Sequence, residues 1–107
     1  MTENACAGLA ADTRFGVELE FNGDSYGTRG AVADRLQVAG LIRRAGYGGY
    51  HTAASRGYPA GEYSLEDDGS VSSGGELVSC IESDHPDSWS RIRRACEAIR
   101  AGGGTTN

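Results

Sequence analysis

In the stretch RFGVELEF, residues 14–21, Glu18 and Glu20 stand at alternate positions among Phe15, Val17, Leu19 and Phe21. A period of two predicts a strand with one buried face, so the two carboxylates sit side by side on the other. A third carboxylate, Glu76, lies in the second clear strand, GGELVSCIES at 74–83. Depending on register, it joins the first two. Three carboxylates on adjacent strands form an oxygen-rich site for a hard divalent cation, Mg²⁺ or Mn²⁺, which keeps its remaining positions for water and phosphate oxygens. Such a cation neutralises the charge that builds up in phosphoryl transfer. The plainer alternative is a solvated sheet face, since antiparallel sheets often carry Glu on a wet side. Three details count against it. Like charges on neighbouring positions repel, Glu is not a favoured strand residue, and Gly74 and Gly75 clear space before Glu76.

The elements that must position these groups follow from the rest of the chain. Residues 1–12 read as a frayed leader and 13–107 as one small domain, the size that 107 residues suit. Thr28 is placed to cap a helix reaching about Ala45, with Val32, Leu36, Ala39 and Ile42 on its apolar stripe and Gly46 as terminator. Residues 46–61 have no clean period, with one short strand expected around Tyr50 and His51. EYSLE at 62–66 reads as a strand and DDGS at 67–70 as a hairpin turn. Leu77, Ser79 and Ile81 are expected on one face of the 74–83 strand, with Glu76, Val78, Cys80 and Glu82 on the other. Asp84 is expected to cap a second helix that starts with Pro86 and ends at Gly102 to Gly104. Trp89, Ile92, Cys96 and Ile99 form its expected buried stripe, and Arg91, Arg93, Arg94 and Arg100 cover the remainder. The order predicts an α+β fold: a small antiparallel or mixed sheet with two helices on one face.

Composition narrows the function. The net charge is −5 and all ten basic residues are Arg. No long basic patch is present to neutralise phosphates, which argues against nucleic acid as a partner. Three cysteines at irregular spacing, with no CxxC pair, suggest neither a zinc knuckle nor a disulfide framework and fit a reducing, cytoplasmic setting. No segment approaches membrane-spanning length. His51 and His85 lack ligand spacing. Cys80 and Cys96 read as small buried apolar residues.

Two motifs together carry a resemblance. Phe15, Gly16, Val17, Glu18, Leu19 and Glu20 match a "fGvElE" strand. Asp68, Gly69, Ser70 and Val71 match a "DgSv" turn, and Gly75, Glu76, Leu77, Val78 and Ser79 match a "gElvSp" strand. With the Trp-bearing helix that follows, the chain resembles the amidoligase family of carboxylate–amine ligases, which have a glutamine-synthetase-like catalytic fold. Cys80 stands where that family usually has Pro. In the family, a segment like AGGGTTN leads into an Asn…Cys-Gly…His-Val-His stretch and a longer C-terminal half. The resemblance is therefore to an N-terminal part, from about residue 13, and a fragment or a truncated chain is expected.

The resemblance implies an ATP-dependent ligase that activates a carboxylate as an acyl phosphate and joins it to an amine. It implies that Glu18, Glu20 and Glu76 hold Mg²⁺ (or Mn²⁺) against the nucleotide phosphates. Asp68 would bind a second metal or orient substrate, with a plain turn role equally open. Ser70 and Ser79 would donate to a bound ligand or serve structure. Arg14 would neutralise Glu18 or contact phosphate. The reading from a different class is a noncatalytic sheet-and-helix binding module or decayed family member, self-associating through an exposed sheet edge.

Overall fold

The computed structural model describes residues 13–23, 27–43, 59–66 and 74–106. The elements are β1 (Arg14–Phe15), β2 (Glu18–Phe21), α1 (Gly27–Val38), β3 (Ser64–Glu66), β4 (Gly75–Val78), β5 (Glu82–Ser83) and α2 (Pro86–Ala101). This is a small α+β fold. The single expected sheet is two: a ribbon β1–β5 and a three-stranded sheet ordered β2–β4–β3, both antiparallel. The apolar face of the larger sheet gives Phe21, Leu65 and Leu77 to one core, joined by Val32, Ala33 and Leu36 from α1 and Ala95, Ala98 and Ile99 from α2.

Both long strands break at one level, and Ser79 is the reason. Val17 accepts the Ser79 N–H at 2.9 Å. The Val17 N–H then turns to Ser79 Oγ at 2.8 Å, and that hydroxyl donates to the Cys80 carbonyl at 2.6 Å. A side chain has taken a place in the ladder, so pairing stops and resumes as the β1–β5 ribbon, Phe15 opposite Glu82. RFGVELEF keeps its alternation through the break. The 74–83 stretch does not keep the expected faces: Ile81 is 65% exposed, while Cys80 and Glu82 are buried.

Helix α1 ends at Val38, well before Ala45. Gly40 has φ +76°. Its N–H bonds to Gln37 O and the Leu41 N–H to Leu36 O, both at 3.0 Å, a Schellman closure whose Leu36 and Leu41 are both buried in the core. The terminator is thus Gly40; Gly46 lies outside the described residues, as do Tyr50 and His51.

Helix α2 is capped by His85, whose Nδ1 accepts the Asp87 N–H at 3.1 Å, with Pro86 in the first turn. Asp84, the expected cap, accepts the Trp89 Nε1–H at 2.9 Å instead. That bond keeps Trp89 39% exposed, its ring 5.5 Å from that of Phe15. The buried stripe is therefore Ser88, Ala95, Ala98 and Ile99. Its small residues let α2 approach α1, and at Gly102 an added Cβ would stand 2.7 Å from the Val32 backbone. Arg94 Nη1 donates to the Ala39 carbonyl at 2.5 Å and so satisfies the open end of α1. Beyond α2, Thr105 pairs with Asn22 through two bonds of 2.8 and 2.9 Å.

Among the described residues, Glu82 is the charged side chain enclosed in full. Glu82, expected on an outer face, has a side chain with no exposure and is paired with Arg91 at 2.6 Å. Tyr63 Oη donates to it at 2.6 Å and Ser88 Oγ at 2.9 Å. Burial pushes this carboxyl up, but the bonds from Arg91, Tyr63 and Ser88 and the Arg91 charge outweigh it and hold it below its ordinary value. Burial and the bond to Glu82 push the Tyr63 phenol up. The bond to Glu82 also pushes the Arg91 guanidinium up, against burial.

Two predictions follow from the packing and from the pair. Gly102→Ala is expected to cost about 1–3 kcal/mol by overpacking. Gly30→Ala, inside α1 where an added Cβ meets nothing within 4 Å, is expected to gain about 0.5–1 kcal/mol. Urea denaturation of both variants checks the contrast. A carboxyl lowered by folding contributes stability above its unfolded pKa and loses it as pH falls through the folded value. Wild-type stability from Glu82 should therefore hold at neutral pH and decline below about pH 4.3. Arg91→Ala should cost about 3–5 kcal/mol at pH 7 by leaving a buried charge unpaired. With the guanidinium gone, burial weighs more heavily on the Glu82 carboxyl, so the decline on acidification should be shallower than in wild type. Urea midpoints across pH 3–7 read both slopes.

Candidate functional site

The face of the larger sheet that points away from the core is built by the even-numbered residues. Register places Glu20 opposite Glu76 and Glu76 opposite Glu66, one carboxylate from each of β2, β4 and β3 in a single row. The next row is Glu18, Val78 and Ser64. Glu18 and Glu20 are exposed, Glu66 and Glu76 half-buried. The Ser79–Val17 bond marks the odd-numbered pairs as those that share backbone bonds. Glu20 and Glu76 therefore form a close pair, with Cα atoms about 4.5 Å apart. Two interstrand spacings make the row about 10 Å long. Each of its three carboxylates takes part in a further interaction within the chain.

Local structure holds the row in place. Arg29, in the first turn of α1, donates from Nε to the Gly74 carbonyl at 2.5 Å and ties the start of β4 to that helix. Gly75 does not clear space for Glu76. It faces the core, where an added Cβ would stand 3.4 Å from Phe21 Cζ and 3.1 Å from the Glu66 carbonyl oxygen. Its role is to seat the Phe21 ring beneath the row.

The expected site residues are thus partly assembled. Glu20 and Glu76 are direct neighbours, and Glu18 is one pleat repeat from Glu20 on the same face. Arg14 is exposed on β1, opposite Ser83 in the other sheet. Among the described residues no ion pair joins it to Glu18. Ser79 is buried, and its hydroxyl bonds the Val17 N–H and the Cys80 carbonyl, the structural one of its two open roles. Asp68 and Ser70 lie outside the described residues.

Glu66 was missed. Alternation in Ser64-Leu65-Glu66 would have put it on the face opposite Leu65; only the strand pairing gives it its neighbour. The Glu82 cluster was also missed, because the strand break at Ser79 has no period to betray it. Among the described residues, Ser64 Oγ is the buried side-chain polar atom with no hydrogen-bond partner. Cys80 is buried as expected, and burial pushes its thiol up. Cys96 is half-buried and lines an open cavity of about 290 Å³ with Ile99, Arg100, Gly104, Thr105 and Thr106.

The donor chemistry fits a hard cation, since carboxylate and hydroxyl oxygens are what Mg²⁺ takes. The arrangement is open. Among the described residues, no three His, Cys, Asp or Glu side chains converge into a cage for a metal ion. Carboxylates in an open line suit ions that complete their shells with water or phosphate oxygens better than ions enclosed by protein. Among the described residues no helix is long and apolar enough to cross a membrane. No protein-family profile, curated protein or solved structure matches the chain.

Ser79→Ala should cost about 1–3 kcal/mol, because it strips the partner from the partly buried Val17 N–H. If the hydroxyl serves only structure, nucleotide affinity per folded molecule should stay at the wild-type value. Denaturant unfolding, with a binding titration on the folded fraction, separates the two roles.

Proposed function

We propose that this chain carries the cation- and nucleotide-holding part of an ATP-dependent carboxylate–amine ligase. The observation that supports this reading is the pairing of Glu20 with Glu76. These residues belong to the two separate motifs that resemble the amidoligase family, and the fold sets them side by side. The same register brings in Glu66.

In this proposal the close pair Glu20 and Glu76 supplies oxygens to Mg²⁺ or Mn²⁺, and Glu66 and Glu18 flank it. When bound, the cation neutralises charge on the nucleotide's phosphates as the substrate carboxylate is activated. The chain's own residues hold and orient. The rigid antiparallel pairing fixes the spacing of the carboxylates, and Arg29 and Phe21 fix the sheet beneath them. By the resemblance, Asp68 orients substrate, and Arg14 and Ser70 contact the nucleotide. The substrates proposed are a small-molecule or peptide carboxylate and an amine. Cys80 and Cys96 are free thiols, which supports a reducing, cytoplasmic setting.

The experiment is calorimetric titration of Mn²⁺ into the folded chain, with and without ATP. Saturable binding is expected. Glu76→Gln, which removes the middle of the row, should weaken it at least about tenfold, the low end of what even outer-shell changes cost a metal site. Glu20→Gln should approach that loss, and Glu66→Gln and Glu18→Gln should lose less. A folded wild-type chain that binds no cation, or a Glu76→Gln variant that binds as well as wild type, would leave the acidic face merely solvated. The noncatalytic module would then be the better reading.

A further inference from the structure

We propose that the outer edge of β2 docks an extended segment of a partner protein that alternates apolar residues with Lys or Arg. Residues 14–21 are paired on one side, by β5 and β4. On the other side, among the described residues, the pairing is the antiparallel bridge from Asn22 to Thr105. Asn22 turns both its backbone groups to Thr105. By the alternation of an antiparallel strand, the backbone groups of Glu18 face the same side. Thr105 therefore marks the place and direction of a further strand along β2.

The cover over the apolar face stops where Thr105 stops. Phe21, beside the bridge, is fully buried, and an added Cβ at Gly104 would stand 3.0 Å from its ring. Leu19, Val17 and Phe15, at alternate positions of the same run, are half-buried. Helix α2 passes beneath in the same direction, with Trp89 against Phe15 near its start and Ile99 against Gly104 near its end. Arg91 turns one flank of α2 to Glu82. The opposite flank carries Trp89, 39% exposed, and Cys96, half-buried, two of the residues whose spacing predicts burial. The open cavity that Cys96 and Arg100 line together with Thr105 and Thr106 lies on that flank. A half-covered stripe on the strand and one on the helix thus meet along one edge, and a strand laid there covers both.

Charge selects the occupant. A second copy pairing β2 against β2 would bring Glu18 and Glu20 of the two copies together, which like charges disfavour. Glu18 is exposed, and among the described residues no ion pair answers it. Lys or Arg opposite Glu18 answers that charge on the outer face, and the apolar residues between cover Leu19 and Val17 on the inner one. Main-chain bonds to the edge then give affinity and the alternate side chains give specificity. The inference goes beyond the function proposed above and does not rest on a bound cation.

The test titrates a short N-acetylated peptide that alternates Val and Lys into the full chain, in EDTA so that no divalent cation takes part. Trp89, the one tryptophan of the chain, stands on the flank to be covered and reads binding by its fluorescence. A saturable change is expected. The same peptide N-methylated at each Lys loses the donors that face Glu18 and should bind at least about tenfold more weakly. Glu18→Gln removes the charge and keeps the edge N–H, and should weaken binding about two- to fivefold, the worth of an exposed ion pair. Glu18→Pro also removes an N–H that points away from β4, so the β2–β4 ladder is spared, and should weaken binding at least about tenfold. The Gln variant and the N-methylated peptide keep the test open if the proline variant folds poorly. A folded wild type that gives no saturable change overturns the docking edge and leaves the cation reading as it stands. Equal binding of the N-methylated peptide marks charge attraction without strand pairing and also overturns it. Sedimentation of wild type as a dimer that Glu18→Pro dissociates would make a second copy the occupant and overturn the heterologous partner.

Discussion

The structure depends on one buried charge being answered. Glu82 sits inside a chain of 107 residues whose core is thin. A lone carboxylate there would cost more than such a core can supply. It is held by Arg91 and Ser88 on α2 and by Tyr63 at the entry to β3. Those three donors come from two distant parts of the chain, so satisfying one side chain fixes α2 against both sheets. Tyr63 extends the tie: its backbone N–H bonds the Leu41 carbonyl at 2.7 Å, just past the Schellman closure of α1. The cluster thus links both helices, the ribbon and the edge of the larger sheet. An apolar cluster of equal volume could give similar stability. The directional bonds set which turn of α2 faces inward.

That constraint explains why, Ile99 apart, the buried residues of α2 are not those its spacing suggests. Ser88 and Arg91 must face Glu82, which turns Ala95, Ala98 and Ile99 toward α1 and leaves Trp89 at the margin against Phe15. Small side chains on the contact face allow the close crossing that ends at Gly102 against Val32. The polar requirement, the helix rotation and the glycine are one consistent solution.

How much of this was legible follows from the range of each interaction. The alternation in RFGVELEF is local, and it correctly separated the core face from the acidic face. The pairing of Glu20 with Glu76 was foreseeable as a register that hydrophobic matching of Leu19 with Leu77 favours, since a slip of one residue would bury the carboxylates. The break at Ser79 was not legible. It depends on a hydroxyl meeting the Val17 backbone across the sheet, and no pattern along one strand encodes that. Glu82 was placed on the wrong face for the same reason, because its alternation was counted through the break. His85 displaced Asp84 as cap because the Trp89 indole claims the Asp84 carboxylate, a competition between two acceptors that propensity cannot rank.

The two faces of the larger sheet are therefore under opposite demands. The inner face gains from every match: Leu19 with Leu77, Leu65 with Leu77, and Phe21 with the space at Gly75. The outer face brings carboxylates together from three strands, and each of the three takes part in a further interaction within the chain. A sheet needed only as a cover for two helices would be as well served by Thr in that row. Carboxylates gathered in one row above a well-matched core are what the proposed cation site requires. The acidic row alone would be a weak argument, since solvated Glu residues are common on wet sheets. The register strengthens it, because Glu20 and Glu76 come from two separate motifs and pair directly.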